Sequence, residues 1–413
     1  MESFDWNFSP PESEPIGDHE VDSLSEHLRG KKIALLICGG IAAMKAPLVA
    51  RALRRRGAEV TAFCSREALQ YVGREALEWA TCNPVVTVLT WKAEHLSGDN
   101  SFSAYLVAPA TYNTIGKAAQ GIADTVLTAA LASALGRMQK GKTQVLFAPT
   151  MHGSMHNDIL IDNCKKLVSL GAKMITPRDA WGKHNLPEEE LLVAAVCRAL
   201  SQSPLKGRKI LVTGGPTPVP IDGVRRILNR FRGRLGAAVH EELLLRGAQS
   251  TLVLGDGAWQ PASWMPVEIA NTYEDYRKAV LKHMSLGQEA GIFSAGVADY
   301  QPKTPYQGKI PSGQKSLSLE LVGTEKVIEL ARKADPKCFI VSFKYLENVT
   351  PEELLSVARS RLELYPVVVA NHGEECQEAS QASYIVTRDG EQRFEGKARI
   401  AQALADLLEK KLL

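Results

Sequence analysis

Residues 32–64 read "KIALLICGGIAAMKAPLVARALRRRGAEVTAFC", and the order of periods in this stretch decides the fold. Residues 32–38 are almost wholly apolar, as a strand buried on both faces requires. Residues 42–57 then take helical spacing and stop at Gly57, and residues 58–64 return to a strand. Later runs repeat the grammar: "AYLVAPA" (104–110) and "TQVLFAPT" (143–150) each pass into small or polar residues and then a helix. Strands alternating with helices over short connections imply parallel crossovers, so the expected class is α/β with doubly wound, Rossmann-like parallel sheets.

The pattern breaks at the polar "SQSPLKGR" (201–208) and restarts with "KILVTGG" (209–215), the helix "LGAAVHEELLLRGA" (235–248) and the strand "QSTLVLG" (249–255). "AGIFSAGVADY" (290–300), "KCFIVSF" (337–343) and "YPVVVANH" (365–372) continue it. Two domains are therefore expected, 31–200 and 209–413, joined by a linker at 201–208; no repeat of 20 to 50 residues is visible. Residues 1–30 read as an acidic, largely disordered tail, not the basic-then-apolar order of a signal peptide.

With 413 residues, 45% of them hydrophobic and 23% charged, the chain has the balance of a globular protein with two cores. Its net charge of +3 gives no basis for binding nucleic acid or an anionic membrane. No apolar run is long enough for a membrane helix. Seven cysteines, none in a C-x-x-C pair, signal neither zinc nor a disulfide framework and suit a reducing cytoplasm.

In doubly wound sheets ligands sit beyond the carboxyl ends of strands. The first such end is "CGGIAAMKA" (38–46), where Gly39 and Gly40 let backbone approach a ligand and the following helix offers free N–H groups to a phosphate. A tight turn alone would also account for the glycines, and the motif is not G-x-G-x-x-G. The end at "APATYNT" (108–114) combines small residues with hydroxyl and amide groups, which leaves room for a flat ring or phosphate against the backbone.

Together "GGIAAMKA", "APATYNT" and "GIAD" (121–124) resemble the homo-oligomeric flavin-containing cysteine decarboxylases. The resemblance implies a flavodoxin-like first domain holding FMN through Gly39, Gly40, Ile41, Ala42, Ser65, Ala108, Pro109, Ala110, Thr111, Asn113, Thr114 and Met151. It also implies His95, thirteen residues before Ala108, as the catalytic base. "APTMHGSM" (148–155) resembles the family's P-A-M-N-x-x-M segment, with His152 in place of the asparagine that holds the substrate carboxylate. An imidazole there could substitute, particularly as a cation, and would make activity pH dependent; the alternative is an idle site. The family's glycine-rich flap carries a proton-donating cysteine, whereas "PRDAWGKHNLPEEELL" (177–192) has none. Without a donor the reaction would stall at an enethiol, and His184 is one available group.

"VTGGPTPVPIDGVRRILNRFRGRLG" (212–236), "AGVADYQPKTPYQGKI" (295–310), "VSFKYLE" (341–347) and "VVVANH" (367–372) resemble phosphopantothenate–cysteine ligases. The order of the halves is that of the bifunctional coenzyme A enzyme. The resemblance implies Lys309 and Asn229 as catalytic groups. It further implies Gly215, Pro216, Thr217, Arg225, Arg234, Ala298, Asp299, Lys309, Phe343 and Asn371 as nucleotide- or substrate-binding residues. Activating an acid by nucleotidyl transfer spreads negative charge over phosphate and pyrophosphate, which Lys309 and Arg225, Arg232 and Arg234 would stabilise. Phe231 and Arg232 replace two hydroxyl residues of the usual motif, so CTP and ATP both stay open as co-substrate, with Mg²⁺. Expected substrates are phosphopantothenate and cysteine, and the expected assembly is a homo-oligomer built on trimers, up to a dodecamer. Two other readings remain: a decarboxylase of another cysteine-containing substrate that gives an enethiol, and a non-catalytic relative that binds FMN or a nucleotide.

Overall fold

The computed structural model describes residues 9–10, 17–96, 101–313, 315–376 and 381–412. The chain divides into two compact units, Met1–Leu200 and Ser201–Leu413.

Unit 1 carries a five-stranded parallel sheet of β1 (Lys32–Ile37), β2 (Glu59–Cys64), β3 (Ala104–Ala110), β4 (Gln144–Pro149) and, past β5 (Met151–His152), β6 (Lys173–Met174). The order is β2-β1-β3-β4-β6. The chain runs from β1 to β2 on one side and then returns to place β3 on the other, so the switch point lies between β1 and β3, the position that holds the ligand in flavodoxin-like sheets. Crossovers are made by α1 (Ala46–Arg54), α2 (Arg74–Thr81), α3 (Tyr112–Gln120), α4 (Val126–Met138) and α5 (Asp158–Ser169), with α6 (Glu189–Leu200) closing the unit. Their starts follow local chemistry: Pro47 opens α1, Thr125 and Thr128 form a capping box on α4, and Asn157 Oδ1 accepts from the Leu160 amide on α5. Leu36, Phe63, Tyr105, Val107 and Phe147 from the sheet pack on Ile115, Leu131 and Leu167 from the helices.

Beyond the sheet, β7 (Arg178–Ala180) and β8 (Lys183–Asn185) form a hairpin whose β8 pairs with β5. The turn residues Trp181 and Gly182 both have positive φ, 53° and 66°, which suits the twist of a two-residue hairpin. The flap segment is therefore a ladder and not a loop.

Part of the segment assigned to the tail, around Leu24–Leu28, is tied to the end of α1, which corrects that part of the expectation. The Leu24 and Leu28 amides donate to the Arg55 and Arg56 carbonyls at the end of α1, both at 2.8 Å, and Leu28 is fully buried. Carbonyls left over at a helix end need such partners. Much of the remaining tail lies outside the described residues.

Unit 2 carries an eight-stranded sheet. Its strands are β9 (Lys209–Gly214), β12 (Gln249–Gly255), β13 (Val267–Ala270), β14 (Ala290–Phe293), β17 (Phe339–Leu346), β18 (Val367–His372), β19 (Ala382–Thr387) and β20 (Gly390–Glu395). The order is β13-β12-β9-β14-β17-β18-β19-β20, parallel up to β18 and antiparallel in the last two pairings. The antiparallel edge is an addition to the expected parallel sheet, and its last pairing follows from the two-residue turn Arg388-Asp389 between β19 and β20. Two short pairs stand beside the sheet: β10 (Val219–Pro220) with β11 (Arg226–Ile227), and β15 (Tyr300–Pro302) with β16 (Leu321–Gly323). The helices are α7 (Arg234–Leu245), α8 (Tyr273–Ser285), α9 (Val327–Ala334), α10 (Pro351–Ser360) and α11 (Lys397–Lys411). The expected linker 201–208 is part of this unit: Leu205 is fully buried in the core with Ile210 and Val239, and Ser201 Oγ donates to the Arg246 carbonyl at 2.6 Å. One apolar residue carries that burial, too few to leave a period.

Candidate active sites

At the β1/β3 switch point of unit 1 three strand ends converge. A Cβ on Gly39 would lie 2.4 Å from Glu67 Cβ, and one on Gly40 would meet Thr111 Cγ2 at 3.7 Å, so these glycines sit between the turn after β2 and the start of α3. Ser65 holds that turn: its amide donates to the Ile37 carbonyl at 3.1 Å, and its Oγ accepts from the Ala68 amide at 3.1 Å. Burial pushes the Cys38 thiol up, against hydrogen bonds with Thr114 and Thr111, so this thiol keeps its proton. Thr114 is buried and its hydroxyl accepts from Thr111 Oγ1 at 3.3 Å, so it braces the loop; Asn113 is exposed on the first turn of α3. Residues 108–110, read as the end of the strand 104–110, lie within β3 with all three buried; the Ala108–Pro109 bond is cis and the register against β4 shifts between Val107 and Ala110. Only their backbone is left to face a ligand. Ala42 is half-buried and Ile41 is 70% exposed. A crevice floored by backbone and small side chains fits a flat ring carrying a phosphate.

Met151 is buried in the core, and the next amide up the chain, that of Thr150, donates to the Ala110 carbonyl at 3.0 Å. His152 is exposed, but its Nδ1 accepts from the Ser154 amide at 3.2 Å and contacts Ser154 Oγ at 2.8 Å. An imidazole that accepts at Nδ1 is neutral with its proton on Nε2, so the cationic role expected for His152 gives way to a neutral donor. His95 lies half-buried in the turn after Trp91, and its enclosed Nδ1 has no hydrogen-bond partner among the described residues. Among the described residues no hydrogen bond ties His95 to 39–42 or 108–114.

The hairpin carries a chain of groups that the sequence reading named only in part. His184 Nδ1 donates to Asp179 Oδ1 at 2.6 Å, and His184 Nε2 lies 2.8 Å from His156 Nδ1. The turn type was legible in Trp181-Gly182 and would have set Asp179 opposite His184; nothing local points to His156.

In unit 2 the loop after β9 is threaded under its neighbours. A Cβ on Gly255 would fall 1.4 Å from the Pro216 carbonyl oxygen. Gly233, at φ 77° where it caps α7, would press one to 2.5 Å from the Gly215 amide nitrogen. Backbone therefore packs on backbone around the N-terminus of α7, a place that attracts phosphate. The Gly296 amide donates to the Gly215 carbonyl at 2.9 Å, and the Ala298 amide to the Oγ1 of fully buried Thr217 at 2.8 Å. Pro216 and Thr217 thus fix the 296–298 segment.

Several expected binding residues are committed to the protein. Asn229 Nδ2 donates to the Gly296 and Val297 carbonyls at 3.0 and 3.3 Å, which leaves its Oδ1 as the free end. Arg225 pairs with Asp222 at 2.5 Å and reaches the Ile310 carbonyl, and Arg232 donates to the Gly257 carbonyl at 2.8 Å. Asp299 is paired with Lys326. Phe343 is half-buried against the core. Asn371 is buried, with Oδ1 accepting from Ser383 Oγ at 2.7 Å and Gln381 Nε2 at 2.9 Å, so it closes β18 onto β19. Arg234 stands exposed on the first turn of α7, and Lys309 stands exposed next to the buried Ile310. Phe231 packs edge-on to Tyr345 with centroids 4.9 Å apart, and Arg230 pairs with Tyr345 and Glu347, a cluster the sequence did not announce.

Asp222 is the residue most missed. Its enclosed carboxylate accepts from the amides of Val224, Arg225 and Ile310 at 2.8, 2.6 and 3.0 Å. Burial alone would raise it, but the Ile310, Arg225 and Val224 amides and the Arg225 guanidinium outweigh that and hold it well below the usual carboxylate range. Asp followed two residues later by the turn amide was the available signal. Among the described residues no group of three or more His, Cys, Asp or Glu could hold a metal, and no helix is long and apolar enough to cross a membrane.

Comparison with known proteins covers both units. A family model described as "Flavoprotein" matches residues 21–201, and one described as "DNA/pantothenate metabolism flavoprotein C-terminal domain" matches residues 205–412. The coenzyme A biosynthesis bifunctional protein CoaBC of Thermococcus kodakarensis is 36% identical over 398 residues, 94% of this chain and 97% of that protein. The protein of the same name from Methanocaldococcus jannaschii is 29% identical over 399 residues, 94% of this chain and 95% of its own length. Among solved structures, the DNA/pantothenate metabolism flavoprotein of Streptococcus pneumoniae is 25% identical with a TM-score of 0.46, and covers 50% of this chain and 100% of that one.

Proposed function

This chain belongs to the family of bifunctional coenzyme A biosynthesis proteins, CoaBC, and from that membership we infer how its two sites divide the work. It is an enzyme of coenzyme A biosynthesis with a flavoprotein decarboxylase domain and a ligase domain: phosphopantothenate is joined to cysteine, and the product is decarboxylated to 4′-phosphopantetheine. The observation that carries this is the end-to-end match with the Thermococcus protein, which puts both halves in the same order.

In unit 2 the ligation requires the carboxylate of phosphopantothenate to be activated by CTP or ATP with Mg²⁺. The N-terminus of α7 and the Gly215–Thr217 backbone receive phosphate, and Arg234 adds charge from the first turn. Lys309 brings an ammonium to the charge that develops on phosphate and leaving pyrophosphate. Asn229 Oδ1 is the free end of an amide already held by two carbonyls, an acceptor suited to the incoming amine of cysteine.

In unit 1 the β1/β3 crevice holds FMN, which supplies reversible two-electron oxidation of the substrate's thiol side chain. His95 takes the thiol proton. His152 presents Nε2–H to the substrate carboxylate, a neutral donor in place of an amide. A neutral hydrogen bond orients the carboxylate without the Coulomb attraction that would oppose its loss as carbon dioxide. The exposed Ile41, Met44 and Leu48 form an apolar stripe beside this crevice, which supports a homo-oligomer with the flavin site at a subunit contact.

One reaction tests the whole reading: purified protein with phosphopantothenate, cysteine, Mg²⁺ and CTP or ATP, followed by mass spectrometry. Appearance of 4′-phosphopantetheine is expected. Products that end at phosphopantothenoylcysteine would leave the ligase and overturn the decarboxylase.

A further inference from the structure

We propose that Asp179, His184 and His156 form a proton relay that serves the decarboxylase reaction, with His156 as the group that meets the substrate; this rests on the reading of unit 1 as a decarboxylase. Loss of carbon dioxide from a carbon that ends saturated requires one proton at that carbon. Three of the groups that could have supplied it are otherwise engaged or missing. Cys38 is buried and hydrogen-bonded, His152 Nδ1 caps the turn at Ser154, and the flap has no cysteine.

The hydrogen bonds fix the direction of the chain. A carboxylate only accepts, so His184 carries a proton on Nδ1; with that ring neutral, its Nε2 accepts from His156 Nδ1–H at 2.8 Å. His156 Nε2 is then the outer end. Asp179 orients the His184 ring, and His184 in turn orients His156, so that His156 Nε2 is the end from which a proton would pass to substrate. Position follows from the neighbours. His184 pairs across the ladder with Met151, and the residue after His156, Asn157, accepts from Tyr112 Oη at 3.2 Å, on the first turn of α3 at the crevice. The other charges of the hairpin region point elsewhere: Arg178 pairs with Glu188, which also pairs with Lys45, and Lys183 lies opposite His152.

The hairpin does not need these histidines to hold its shape. Asn185 Nδ2 reaches the carbonyls of Arg178, Ala180 and Lys183 at 3.0 to 3.2 Å, and the Gly153 amide donates to the Gly182 carbonyl at 2.9 Å. A purely structural reading therefore leaves the Asp179–His184–His156 chain without a purpose.

In the step itself, the thiol side chain has been oxidised by two electrons to the thioaldehyde, and the bond from its neighbouring carbon to the carboxylate breaks. Carbon dioxide leaves, and the electron pair is delocalised onto sulfur as an enethiolate. His156 Nε2–H gives its proton to the carbon that lost the carboxylate. The second hydrogen would be supplied to the sulfur-bearing carbon as a hydride by bound flavin, returning the two electrons taken from the thiol, and His156, left neutral, is recharged from water.

The experiment gives full-length, flavin-loaded protein phosphopantothenoylcysteine and follows carbon dioxide, the thiol product and flavin colour through one turnover without oxygen. The parent protein is expected to give the saturated thiol with its flavin reoxidised. In His156→Gln and Asp179→Asn carbon dioxide should still be released, the flavin should stay bleached, and the product should become the enethiol, with saturated thiol formed about a hundredfold more slowly. In the flavin-free protein, the His184 Nδ1 proton should resonate far downfield by NMR and lose that shift in Asp179→Asn. Saturated thiol from His156→Gln at the parent rate overturns the relay, as does enethiol alone from the parent, which leaves the decarboxylase standing. No carbon dioxide from the parent removes the decarboxylase and the relay with it.

Discussion

The carboxylate of Asp222 accepts a hydrogen bond from the backbone amide of Ile310 at 3.0 Å, across 88 residues of chain. The Gly223 amide donates to the Gly308 carbonyl at 2.7 Å, and Arg225 reaches the Ile310 carbonyl at 3.3 Å, so the residues on both sides of Lys309 are held by one turn. Lys309 itself has only its side chain free to move.

Replacing Asp222 by Asn keeps the shape but removes the charge that gathers three amides and a guanidinium. Misplacement of a charged group by about 1 Å costs on the order of a hundredfold in rate. Ligation by Asp222→Asn should fall by about that factor, while decarboxylation of supplied phosphopantothenoylcysteine is kept. Equal loss of both activities in paired assays would argue for a general folding defect instead.

The same carboxylate sets an acid limit. Its folded value lies below the unfolded value of about 3.9. Its contribution is therefore fully present above that value and is lost as pH falls below about 4 toward the folded value. Acid unfolding followed by circular dichroism should be shallower in Asp222→Asn below pH 4. An unchanged slope would show that the carboxylate is no better held in the folded chain.

Gly39 and Gly40 should separate sterically. A Cβ at 39 collides with Glu67 Cβ at 2.4 Å and crowds backbone at 3.3 Å, whereas one at 40 makes an ordinary 3.7 Å contact. Gly39→Ala is expected to lower stability by about 1–3 kcal/mol together with flavin content. Gly40→Ala should change stability by no more than about 0.5 kcal/mol and still lose flavin, because the new methyl points toward Thr111 across the crevice. Thermal melts and flavin absorbance on the same samples decide it.

His95 is tested by His95→Asn. Loss of a general base costs about 10²–10⁴-fold, so carbon dioxide release should fall within that range, with flavin content and ligation unchanged. Release at the parent rate would return the enclosed His95 to a structural role.

Leu48 is 56% exposed and follows Ile41 and Met44 on one stripe. Leu48→Glu should shift the assembly to smaller species in light scattering and release flavin, since a charge cannot be buried unpaired at a subunit contact. An unchanged mass would move the interface elsewhere.

What could be read without the structure is what short-range periodicity encodes. Buried strands ending in glycine announced both sheets and both ligand edges, since backbone that must pass 1.4 Å from where a side chain would stand admits only Gly255. His95 and Lys309 were singled out through the family resemblance, at set distances from the quoted motifs. The linker was misread because Leu205 is a single apolar residue with no period around it, and the tail because the bonds that hold it run from backbone amides, which leave no mark in the sequence.

By itself, then, the sequence determined the two α/β units, the order of their elements and the glycine-rich turns at the strand ends, because hydrophobic alternation and turn chemistry act over a few residues. Only the tertiary structure decided which polar groups meet. His152 became a neutral donor through Ser154, Asn371 became a strut, Arg225 closed on Asp222, and Asp179, His184 and His156 joined into one chain. Such pairings depend on strand order and register, which bring distant residues to hydrogen-bond distance and leave no local pattern.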